Sequence, residues 1–141
     1  MIVVIHIVIC DNKEKELEKI INKERTILLR GGASRRIPHS RIYVNDELYF
    51  LEKGSNVSSY HAVVSDATNY SKLINSEIND IYDKYKEQLN LSKKEENKWL
   101  KKCMCLIEFE NLEECEEITI PNYTNLEDWI MVNSLDELNN R

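Results

Sequence analysis

Residues 23–41 read Lys23-Glu24-Arg25-Thr26-Ile27-Leu28-Leu29-Arg30-Gly31-Gly32-Ala33-Ser34-Arg35-Arg36-Ile37-Pro38-His39-Ser40-Arg41. Thr26 to Leu29 is a short apolar strand. From Arg30 onward no hydrophobic period survives, two glycines stand side by side and a proline follows, so Arg30 to Arg41 reads as a loop. That loop carries Arg30, Arg35, Arg36 and Arg41 with His39, and no acid, over twelve residues of an acidic protein.

Upstream, Ile2 to Ile9 is β-branched almost throughout, the composition of a strand covered on both faces. Asp11 and Glu14 are spaced as a capping box, and Leu17, Ile20 and Ile21 give a helix ending near Lys23 a narrow apolar stripe. Downstream, Asn45-Asp46 marks a turn. Leu48 to Glu52 and Val57 to Asp66 are strands around Gly54-Ser55-Asn56, the form of a β-hairpin.

The period then changes. Ile74, Ile78, Ile81, Tyr82, Tyr85 and Leu89 recur at three- and four-residue spacing, one face of a helix of about five turns. Ser92 and Glu95 form a second capping box, opening a short helix with Trp99 and Leu100. Cys103, Cys105, Ile107 and Phe109 alternate with other residues and share a strand face. A weaker strand follows at Glu117 to Ile120, ended by Pro121, and a short helix is expected at Ser134 to Leu138.

The order β-α-β-loop-β-β-α-α-β-β excludes a doubly wound parallel sheet, because βα units do not alternate and no glycine-rich phosphate turn follows the first strand. It fits an α+β fold: a small mixed β-barrel with helices packed at its openings. The 141 residues suit one domain, spanning 1–141 with 121–141 as a C-terminal extension, and need no disulfide or metal to hold it.

With a net charge of −6 the protein is not a general polyanion binder, so a nucleic-acid site must be a local basic patch. Cys10, Cys103, Cys105 and Cys115 read as reduced thiols of a cytoplasmic protein. The apolar opening run is too short to span a bilayer, and no membrane partner is expected. His6, Cys10, His61 and the Cys103/Cys105 pair lack zinc-ligand spacing, so no metal or cofactor is expected; the two thiols suit the core.

Three segments together resemble the ASCH family of the PUA-like superfamily. They are Lys23 to Arg30, where that family has a helix end, Gly-x-Lys-Thr and a strand ending in Arg; Asn45 to Phe50, where it has a Gly-Asp turn and strand; and Leu106-Ile107-Glu108-Phe109, similar to its late core strand. The resemblance implies a PUA-like barrel with a cleft lined by Arg25 and Thr26. Some bacterial ASCH proteins are amidohydrolases acting on acetylated cytidine, using a Lys, a nearby Thr and a Glu. Here Arg25 stands at the Lys position and Leu28 at the Thr position. Arginine stays charged and serves as neither base nor nucleophile, so no catalytic residue is assigned.

The leading expectation is a module binding RNA, a nucleotide or a modified base. Arg30, Arg35, Arg36 and Arg41, with His39, would contact phosphate, since guanidinium forks bind oxyanions in two-toothed fashion. The opposing reading pairs these arginines with surface glutamates, and Arg25 with a structural carboxylate. Lys93, Lys94, Lys98, Lys101 and Lys102 form a second basic segment, read as a solvated helix face or as a supporting rim. The alternatives are a small amidohydrolase acting on an acylated nucleoside, and a protein-interaction module using an exposed face of the Ile74–Leu89 helix.

Overall fold

The computed structural model describes residues 2–124 and 126–140. In chain order the elements are β1 (Ile5–Cys10), α1 (Glu16–Ile21), β2 (Ile27–Gly32), β3 (Glu47–Glu52), β4 (Val57–Tyr70), α2 (Asn75–Leu89), α3 (Lys93–Trp99), β5 (Cys103–Thr119) and β6 (Trp129–Val132), closed by a 3-10 helix at Leu135–Asn140. The six strands form one mixed sheet in the order β2-β5-β4-β3-β1-β6. Only β1 and β3 pair in parallel among the described strands; every other pair is antiparallel.

The sheet curls into a half-barrel. Register shifts between Ser58 and Tyr60, His61 and Val63, and Val64 and Asp66 interrupt the long β4–β5 ladder, and such irregularities bend strands and deepen their twist. The concave face holds the central core, with Val8, Cys10, Leu28, Leu48, Phe50, Val64, Cys105, Ile107 and Trp129. Outside β2 and β5, Ile27, Leu29, Met104 and Leu106 pack with Ile78, Leu89 and Trp99 from α2 and α3. Outside β1 and β6, Ile7, Ile9 and Ile130 pack with Ile120 and Leu138. Both faces of β1 are thus covered, as its unbroken apolar run requires.

Several boundaries differ from the sequence reading. Asp11 accepts from the amides of Lys13 and Glu14, but it caps a turn rather than the helix. Lys15 follows with φ of 57° and α1 starts only at Glu16. Glu14 instead accepts from the Ser92 hydroxyl, 2.5 Å away. The Ser92/Glu95 capping box forms as read, each side chain bonded to the other's amide. The expected strand at Glu117–Ile120 is the far end of β5. Residues 129–132 of the expected C-terminal extension supply an integral strand, paired with β1.

The apolar stripe of α2 faces the sheet. Ile78 and Leu89 are buried, Ile81, Tyr82 and Tyr85 pack against the same cluster, and Ile74 alone of the six is exposed, at 63%. The monomer therefore leaves no continuous apolar face there for a protein partner. Among the described residues, no helix is long and apolar enough to cross a membrane.

Candidate functional site

The site begins with the alternation of β2. Leu28 points into the concave core, so Arg30, two residues on, points the same way. Its guanidinium lies 4.4 Å from the Trp99 ring centroid and 5.5 Å from that of Trp129, cation–π distances on both. Nη1 donates to Leu29 O and Glu16 Oε2, and Nη2 donates to Glu16 Oε1 and, at 3.5 Å, to Ile9 O. Arg30 thereby spans from β2 to β1 and β6, across the gap between the two edges of the curl.

Arg25 is closed in more completely and is only 1% exposed. Nε donates to Leu89 O at 2.6 Å. Nη1 donates to Glu16 Oε2 and Glu95 Oε2, and Nη2 to Asn90 O and Glu95 Oε1. All five N–H groups are used, and the acceptors include the carbonyls left open at the C-terminal end of α2. Glu16, Glu95, Arg25 and Arg30 form a buried cluster of two anions and two cations. Burial alone would raise the Glu16 carboxyl, but the charges and hydrogen bonds of Arg30 and Arg25 outweigh it and hold it below the usual carboxylate range. The Cys10 thiol beside the cluster is pushed well up, first by burial and then by the Glu16 charge.

This geometry corrects the expected role of Arg25. It has no donor left for a ligand. Arg25 and Thr26 also lie away from the arginine loop, at a separate depression of about 340 Å³ with Ile20, Lys23 and Phe109. Arg30 is corrected in part: it is a member of the core cluster rather than of an exposed rim, and Gly31 and Gly32 belong to β2. Burial of Arg25 and Arg30 has a common cause, since both face Glu16 of the preceding helix α1, and Arg25 also faces the distant Glu95 of α3.

The rest of the loop is open. Arg35, Arg36 and Arg41 are exposed, and among the described residues none is ion-paired. Arg35 Nε donates to Ser71 Oγ at 3.1 Å. His39 is buried and pins the loop to the end of β4: its Nε2 donates to Tyr70 O at 2.9 Å, so Nδ1 accepts from Ser40 Oγ at 2.8 Å. The Ser40 amide donates to Asn69 Oδ1. The peptide between Ile37 and Pro38 is cis.

Between loop and sheet lies a narrow cleft lined by Arg30, Gly31, Gly32, Ser34, Arg36 and Asp128, with Ile37, His39 and Cys103. Its enclosed space is about 20 Å³, room for one water-sized group. The Nε of Arg30 is buried without a hydrogen-bond acceptor. The nearest carboxylate to it, Asp128 Oδ2, stands 3.7 Å away on the cleft wall.

Two further segments meet the loop at this end. Ser71 receives Arg35, and the next residue, Lys72, is exposed with φ of 56°. The amide of Leu73 donates to the carbonyl of Lys102, and Lys101 and Lys102 are exposed beside the start of β5. Gly31 admits the end of α3: a Cβ there would stand 1.9 Å from the carbonyl oxygen of Trp99. Neither 31–45, 67–76 nor 97–107 contains an acid. Arg35, Arg36, Arg41, Lys72, Lys101 and Lys102 therefore share one end of the molecule, none in an ion pair among the described residues. Tyr43, beside them, is 65% exposed.

No protein-family model matches the chain, and no curated protein matches it in sequence. Solved structures do match. The ASCH protein of Zymomonas mobilis aligns over 91% of this chain and 87% of that one with a TM-score of 0.65 at 10% identity. Crystal structures of two single-substitution variants of that protein align over 96% of this chain at TM-scores of 0.67 and 10% identity, covering 94% and 92% of the variant chains. This chain has an ASCH-like fold. In this fold Arg25 is fully bonded within the core cluster, and the open cations lie on the loop beyond β2.

Proposed function

We propose that this ASCH-like domain is a binding module for RNA or a nucleotide-like polyanion. Arg35, Arg36 and Arg41 contact phosphate on the rim, and His39 and Ser40 hold the loop that carries them. The observation that supports this reading most is the convergence, at one end of a protein whose net charge is −6, of six exposed cations that form no ion pair among the described residues. An unpaired guanidinium keeps its fork for an incoming oxyanion, and an acidic body around a basic patch confines polyanions to that patch. Tyr43 offers an aromatic face beside the rim on which a base can stack.

The test is binding of a short fluorescent single-stranded RNA by anisotropy, with wild type and with Arg35→Glu plus Arg36→Glu. The expected outcome is salt-sensitive binding that the double variant abolishes while its circular dichroism stays native. Binding that is the same in both proteins would refute the assignment.

A second reading, a small amidohydrolase acting on an acylated nucleoside, draws on the buried acids Glu16 and Glu95 beside Arg25. Their chemistry weighs against it. The Glu16 oxygens are committed to Arg25 and Arg30, and those of Glu95 to Arg25 and the Ser92 amide. A general base works best with a pKa near the working pH, whereas Glu16 is held low. Turnover of acetylated cytidine by the pure protein would reverse this ranking.

A further inference from the structure

The cleft over Arg30 is too small for a base or a ribose, yet it is chemically equipped. Arg30 is buried to 5% exposure, and four of its five N–H groups are used. The fifth, on Nε, faces Asp128 at 3.7 Å, beyond hydrogen-bond range. At the lip, the Arg36 carbonyl accepts from the His39 amide, but its guanidinium has no hydrogen bond or ion pair with a described residue, and the Ser34 hydroxyl likewise has no described partner. Gly32 leaves Arg36 room to lie over the opening: a Cβ there would come within 3.3 Å of Arg36 Cδ.

We infer that this cleft is an end-phosphate subsite, taking one oxygen of the terminal phosphate monoester of the strand held by the rim. Arg30 Nε–H donates from the floor, and Arg36 and Ser34 donate from the lip. A phosphodiester within a strand offers two unsubstituted oxygens hemmed by a sugar on either side, which restricts its approach to a space of about 20 Å³. A terminal phosphate presents three unsubstituted oxygens and an additional charge at neutral pH. Asp128, 34% exposed on the wall and 3.7 Å from Arg30 Nε, opposes any anion there, so a phosphate must displace the carboxylate to reach that N–H. The inference deepens the reading of the rim and rests on it.

The experiment compares one short RNA sequence carrying a 5′-phosphate, a 3′-phosphate or hydroxyl at both ends, alongside a nucleoside monophosphate and inorganic phosphate. One phosphorylated end is expected to bind about tenfold more tightly than the hydroxyl form, the weight of one charge-assisted hydrogen bond. Asp128→Asn should widen that ratio, and Arg36→Gln should narrow it. Equal affinity for all three strands, with binding still lost in Arg35→Glu plus Arg36→Glu, overturns the subsite and leaves the rim intact. No binding of any strand fails the rim reading itself. A monophosphate that binds as tightly as the phosphorylated strand overturns the strand end in favour of a free nucleotide. Asp128→Asn that lowers stability and leaves the ratio unchanged makes Asp128 the partner of Arg30, and the subsite falls.

Discussion

The indole N–H of Trp129 donates to Nδ1 of His6 across 2.9 Å of the core. Nδ1 is therefore the unprotonated nitrogen, and Nε2 carries the proton it donates to Asp46 Oδ2 at 2.9 Å. Asp46 is held in turn by the amides of Val4 and Tyr43. Because Trp129 also lies against the Arg30 guanidinium, β6 is joined to the ion cluster through one side chain. His6, an isolated polar residue in an apolar strand, is thus a satisfied core histidine that anchors the last strand.

His6 makes stability depend on pH. Burial depresses its pKa below 6.5, more than the Asp46 hydrogen bond and charge raise it. Between the depressed value and 6.5 the unfolded chain holds a proton that the folded protein excludes. Stability is therefore complete above about 6.5 and lost as pH falls, with a slope of at most about 1.4 kcal/mol per pH unit for one proton. Urea unfolding at a series of pH values should show that slope in wild type. His6→Gln, which cannot titrate, should flatten it; equal slopes would mean that another group is responsible.

Removing one member of the ion cluster should be costly. Glu16→Gln leaves Arg25 with Glu95 alone and Arg30 with no buried carboxylate, and breaking a buried pair in this way costs about 3–5 kcal/mol. Glu16 is also held low, so the stability it confers is present above about 4.5, its ordinary pKa, and lost as pH falls below it. The measurement is the urea midpoint at neutral and acid pH. A variant within about 0.5 kcal/mol of wild type, the range of ordinary surface changes, would show that the cluster contributes nothing.

Gly31 tests the seat of α3. No side chain fits where a Cβ would stand 1.9 Å from the Trp99 carbonyl oxygen. Gly31→Ala should push α3 outward, loosen Trp99 from Arg30 and shift tryptophan emission to the red, with a loss of stability in the overpacking range of about 1–3 kcal/mol. Unchanged emission and stability would mean that the helix end yields freely.

Most strands were legible because their apolar runs and alternation are strong. β4 runs on through Ala67, Thr68, Asn69 and Tyr70, where the sequence turns polar because only one face is covered. Gly31 and Gly32 read as loop residues, yet they extend β2 because α3 must come close. The inward turn of Arg30 was available from its two-residue offset from Leu28. Its partners were not: Glu16 carries no local signal, and Glu95 is fully explained as a cap until the fold brings Arg25 to it. Lys72 and Lys101 stand 29 positions apart, so their place beside the arginine loop appears only when β4 and β5 pair.

That placement yields the sharpest electrostatic prediction. If the rim reads a single strand, each cation that meets a phosphate adds about 0.7 to the steepness with which log affinity falls against log salt. Lys72→Gln with Lys101→Gln and Lys102→Gln should then reduce that slope by about 2 while the fold stays intact, because all three side chains are exposed and no described carboxylate depends on them. Neutralising Lys93 and Lys94 on α3 provides the contrast. Lys93 already faces Glu96 at 3.8 Å, and the Lys94 charge helps hold the Asp11 carboxyl low, so their loss should leave the slope within about 0.5 of wild type. A slope that responds equally to both sets would mean that the strand senses only total charge, and the track from the arginine loop to the start of β5 would have no standing as a site.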